Sequence, residues 1–195
     1  MRINKKLNLV IPVTTQNHGK IFVHSVPIGR EVFVTYYFEL GQVFDECFSS
    51  DNPSHTALSA PQIAYPALKK VARQAGTWEN EKNPADRSGV KFGLCQEIIR
   101  LTNVVFADES GWKALPLSTI IARDFLDEDE EAEVMSALIF FTSISLAGPK
   151  ELRTAFLEMS GRIRGWELTL SDCMVYMTGL TTLTETETTQ EKATA

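Results

Sequence analysis

GWKALPLSTIIARDFLDEDEEAEVMSALIFF, residues Gly111 to Phe141, is the stretch on which the fold reading turns. It reads as a short helix from Pro116 to Leu126, a turn, an acidic helix start and a strongly apolar helix. Asp127 stands at the N-cap position and Glu130 three residues on, which is the capping-box pattern. The acids of that first turn suit the positive end of the helix dipole. Beyond them, Val134, Leu138 and Phe141 form one apolar row at helical spacing, with Met135, Ile139 and Thr142 beside it. Gly148-Pro149 stops the helix.

The acids of this run, Asp127, Glu128, Asp129, Glu130, Glu131 and Glu133, equal the whole net charge. The chain has 25 acids and 19 bases, a net charge of −6. Outside the run the two signs balance. Such a block reads as an assembly surface or a solvated helix start. Asp127, Asp129 and Glu131 mimic the first EF-hand positions, but Ala132 stands where that loop needs Gly and Leu138 where it needs Glu, which excludes it.

The wider composition bounds the function. A chain of 195 residues, 44% hydrophobic and 23% charged, suits one domain with a substantial core. The acidic balance and the lack of a basic stripe argue against nucleic-acid binding. Cys47, Cys95 and Cys173 are far apart and odd in number, as expected of reduced thiols in a cytosolic protein. LNLVIPV near the start is too short, and carries Pro12, for a signal peptide. The apolar run from Val134 to Ala147 falls short of a membrane span. Cytoplasmic residence is therefore expected.

Residues 7–13 and 20–26, LNLVIPV and KIFVHSV, read as the strands of a hairpin around TTQNHG. After Pro27, apolar positions Val32, Phe33, Tyr36, Tyr37, Leu40, Val43, Phe44, Cys47 and Phe48 follow helical spacing. A second helix spans Thr56 to Ala75, broken or kinked near Pro61 and Pro66. Trp78 to Ser88 is a polar loop. Leu94, Ile98, Leu101 and Val105 define a helix ending near Ala107-Asp108, and a further helix runs from Pro149 to about Arg164. Leu170 to Leu180 is ambiguous between helix and strand. The Thr/Glu-rich end cannot bury enough surface to offset its ordering. The expected fold is mainly α: one helical domain over 1–180, with a short N-terminal β-hairpin over 1–26, and a disordered tail over 181–195.

No catalytic motif stands out. His18, His24 and His55 are scattered, and there is no HExxH, GxSxG, Walker A or GxGxxG pattern. No catalytic, cofactor-binding or metal-ligating residue is assigned, and a non-enzymatic protein without cofactor is expected. The aromatic rows are expected mostly in the core, but a helix apolar on several sides needs either burial or a partner. Val134, Leu138 and Phe141 on one helix and Val32, Tyr36 and Phe44 on another are the candidate partner-binding residues.

With these residues in view, the chain resembles the tail assembly chaperones of long-tailed bacteriophages, encoded between the tail tube and tape measure proteins. The segments that carry the resemblance are RINKKLNLVIPV, VHSVPIGREVF, EIIRLTNVV at 97–105 and GWKALPLSTIIARDFLDEDEEAEVMSALIFFTS from Gly111. Together they cover most of Arg2 to about Ser143, while 150–195 match only loosely. The resemblance implies a mostly helical protein that binds the tape measure protein, keeps it soluble and promotes tail tube assembly. Its implied partners are the tape measure and tail tube proteins, the latter through a frameshifted longer product. Homo-oligomers are compatible with it; nucleic acid and membrane are not implied. The implied place is the host cytoplasm rather than the mature virion. The competing reading is a structural virion tail protein, a completion or terminator component.

Overall fold

Alternating apolar residues set up the first two strands, β1 (Asn8–Thr15) and β2 (Gly19–Ser25). Between them the Thr15 hydroxyl donates to the Gly19 carbonyl and accepts from the His18 amide, and Gly19 takes φ +66°. The register pairs Leu9 with Ser25, Ile11 with Val23 and Val13 with Ile21, so their side chains share one face. Pro12 is tolerated inside β1 because the neighbour on its other side, β5 (Glu167–Thr169), pairs only with Asn8, Leu9 and Val10.

The hairpin is part of a larger sheet. In the computed structural model, which describes residues 7–48, 53–79, 88–109, 111–144 and 150–180 (without the side chains of 53–58, 150, 152 and 160), five antiparallel strands run in the order β4-β3-β2-β1-β5. β3 (Thr102–Asp108) aligns Val104 with Val23, and β4 (Gly111–Pro116) returns along β3. Of the described residues, 59% are helical and 21% lie in strands. It is therefore mixed α/β, not the mainly α chain with one short hairpin expected from periodicity.

The error has a local cause. Leu94, Ile98, Leu101 and Val105 do fall at helical spacing, but one π turn (Lys91–Cys95) and a short α4 (Gln96–Arg100) use up the helical part. From Thr102 the β-branched run forms β3, in which Val104 and Val105 are both buried because they cover opposite faces. GWKALP, read as leading into a helix, is β4, and α5 is only Leu117–Ala122.

The helices pack on the face carrying Leu9, Ile11, Val13, Ile21 and Val23. They are α1 (Arg30–Thr35), α2 (Tyr37–Cys47), α3 (Pro53–Gln74), α6 (Glu128–Ser143) and α7 (Lys150–Arg164). α3 runs on as one helix through Pro61 and Pro66, and it presents the small buried residues Ala60, Ala64 and Ala72. α6 is central: every residue from Val134 to Ile144 is buried, and α2, α3 and β1 surround it. The polar residues in it are accommodated locally, with Thr142 Oγ1 donating to the Leu138 carbonyl at 2.8 Å and Ser143 Oγ to that of Phe140 at 3.0 Å.

The opposite face of the sheet is covered too. Residues 173–180, ambiguous in sequence, are helical and form α8. Tyr176 of α8 lies 5.9 Å from Phe22 and 6.0 Å from His24, ring centre to ring centre. Val10, Val105 and Leu180 are buried there, apart from the main core. Most of the expected loop Trp78–Ser88, and the expected tail 181–195, lie outside the described residues.

Candidate functional site

The six residues singled out for partner binding face inward. Val134, Leu138 and Phe141 are core residues of α6, and Val32, Tyr36 and Phe44 are half-buried against the same core. A helix that is apolar all round can be satisfied by enclosure or by a partner; here α2, α3 and β1 enclose it, so its rows are not at the surface of the folded chain.

The exposed apolar residues nearby are different ones. Val34, Tyr37 and Phe38 are 61%, 58% and 62% exposed. They straddle the break between α1 and α2, where Tyr36 leaves helical geometry with φ −108° and ψ 22°. Tyr36 fills the gap beside the π turn, its hydroxyl donating to the Gly89 carbonyl at 3.2 Å. Burial first, then the charge of Glu39, raises its pKa, which keeps it a donor. Helical spacing read straight through 32–48 misses this patch because the break shifts the phase of α2. The usable signal was the triplet Tyr36-Tyr37-Phe38, since three consecutive aromatics cannot all face one core from a helix.

Behind α2 an open groove of about 360 Å³ is lined by Gln42, Asp45, Glu46, Lys70, Val71 and Gln74. An ion pair between Lys70 and Glu46, 2.8 Å long, spans the two helices there.

The acidic run has an internal task besides carrying charge. Asp127 Oδ1 accepts from the Glu130 amide at 2.8 Å, and Glu130 Oε2 accepts from the Asp127 amide at 3.0 Å, so the expected capping box is formed. Glu130 Oε1 also accepts the Gln16 amide of the β1–β2 turn at 2.9 Å. His18 of the same turn stacks on Phe125 at 3.5 Å between ring centres. One carboxylate thus caps α6 and holds the hairpin turn against it. Glu130→Ala is expected to cost about 1–2 kcal/mol in urea unfolding, as cap losses do; an unchanged midpoint would remove the clamp.

The remaining chemistry-bearing groups are quiet. Burial pushes the thiols of Cys47 and Cys95 up to about 12 and raises that of Cys173 as well, so all three stay protonated near neutrality. His24 is buried, its Nε2 3.0 Å from the Ser171 carbonyl. Among the described residues, no group of three or more His, Cys, Asp or Glu is placed to hold a metal ion, and no helix is long and apolar enough to cross a membrane. Comparison with known proteins finds no matching family model, no matching curated protein and no matching solved structure.

Proposed function

We propose that this chain is a tail assembly chaperone that binds a phage tape measure protein in the host cytoplasm, keeps it soluble and promotes tail tube assembly. The reading rests on the resemblance carried by residues 97–105 and 111–143. The observation that supports it is the set of Val34, Tyr37 and Phe38, more than half exposed on either side of the break between α1 and α2. A tape measure is a long, apolar-striped helix, and such a helix docks through rows of aliphatic and aromatic anchors. The role requires binding and release rather than bond chemistry.

The test is co-expression with the tape measure gene encoded beside it, followed by co-purification and mass measurement. A soluble complex with several copies of the chain per tape measure is expected. An insoluble tape measure beside a free, folded chain would overturn the reading. Replacing the patch, Tyr37→Asp with Phe38→Asp, is expected to weaken the complex about 30-fold or more, as loss of anchor residues does. Stability of the free chain should shift by no more than about 0.5 kcal/mol per exposed site. A folded double variant that still binds fully would move the docking face elsewhere. Abundant chain in purified particles would favour the structural virion reading instead.

A further inference from the structure

We infer that residues 170–180 form a strap that opens as a unit from the reverse face of the sheet while the main core stays folded. The attachment is narrow. Asn8 of β1 and His24 of β2, neighbours across the sheet, both reach the same acceptor, the Ser171 carbonyl, at 2.9 Å and 3.0 Å. Asp172 then starts α8, its Oδ1 accepting the Val175 amide at 2.9 Å. Tyr176 supplies the aromatic anchor on Phe22 and His24. Beneath the strap lies a small apolar layer of Val10, Phe22, Val105 and Trp112, the last with its ring 5.7 Å from that of Phe22.

Four features mark this layer as the weak end of the molecule. Val10, Val105 and Leu180 are buried but stand outside the main core, so opening the strap breaks no core contact. Leu170, Met174 and Val175 point outward, more than half exposed, so the strap buries little of its own apolar surface. The strap joins the sheet through the three-residue β5, a short tether. The closed state also leaves His24 Nδ1 buried with no hydrogen-bond partner among the described residues, and an unsatisfied buried acceptor opposes closure. Segments with few core contacts and imperfectly satisfied polar groups are those that open below the global unfolding free energy. Opening would uncover Phe22, Val105 and Trp112 together, turning a covered sheet into an apolar platform.

Hydrogen exchange of the full-length protein, read by peptide mass spectrometry, tests this. Amides of 173–180 should exchange about 100-fold faster than those of 134–144, with a common rate, as a sub-global opening unit does. Tyr176→Ala, which removes the anchor, should speed exchange in 173–180 a further tenfold or so and leave 134–144 unchanged. Asn8→Ala, which removes half the latch, should do the same and provides an independent variant if the first folds poorly. Exchange of 173–180 at the rate of 134–144 in the unaltered chain, or equal acceleration of both segments in either variant, would show that α8 unfolds only with the core and would overturn the strap.

Discussion

Gly93→Ala is expected to lower the stability of the fold by about 3 kcal/mol. Gly93 sits in the π turn directly beneath the Tyr36 ring. A Cβ built there overlaps the Tyr36 hydroxyl outright and stands 2.6 Å from Cζ. Swinging the ring aside breaks its hydroxyl's bond to the Gly89 carbonyl and disturbs the residue that forms the break between α1 and α2. The start of the π turn is held too: the Val90 amide donates to the Thr77 carbonyl at 2.9 Å and the Lys91 amide to that of Trp78 at 3.1 Å. Overpacking usually costs about 1–3 kcal/mol and more where nothing can yield. Against a total stability of about 5–15 kcal/mol, this substitution belongs at the severe end. Circular dichroism with urea unfolding would measure it. In a Tyr36→Ala background the clash is gone, so the added cost of Gly93→Ala should be small there; an equal cost in both backgrounds would show that the glycine serves the π turn itself and not the tyrosine.

Phe140→Ala is the second large effect, by the opposite route. Phe140 is fully buried in the last turn of α6. Its ring lies 6.0 Å from that of Phe48 and 6.1 Å from that of Trp166, so it joins the end of α2 to the segment after α7. Removing it leaves a cavity between three elements that cannot all collapse at once, at a cost of about 3–5 kcal/mol. For a chain of this size the melting temperature should fall by roughly 10 °C or more. Phe38→Ala, which deletes the same ring from an exposed position, should change it by no more than a degree or two. Equal losses at Phe140 and Phe38 would contradict the burial pattern on which the core assignment rests.

Helix periodicity and capping chemistry were readable from the amino acids alone. The acidic start of α6, its apolar body and the hairpin of β1 and β2 all follow from local rules, because their patterns are long or carry a specific cap. The sheet was not readable. β3 has one valine on each face and β5 is three residues long, so neither shows the alternation that identifies a half-buried strand. Their pairing partners lie far away in the chain, and only tertiary contact specifies them. The burial of the candidate partner-binding residues was not readable for a related reason. Periodicity shows that α6 needs cover on every side but not whether the cover comes from this chain, and a one-residue break at Tyr36 was enough to carry Tyr37 and Phe38 out to solvent. Glu130 was legible as the capping-box partner of Asp127, but its bond to the turn at Gln16 links positions no local pattern connects.

The pairing of β1 with β5 has a consequence for how the protein is made. Asn8 meets Thr169 and Val10 meets Glu167, so one edge of the first strand stays open until residues 167–169, far downstream, have left the ribosome. Throughout translation the nascent hairpin carries an apolar strand with unpaired backbone groups, the state most prone to pair with a neighbouring copy. The yield of folded protein should therefore depend on synthesis rate and crowding of nascent chains more steeply than its final stability suggests.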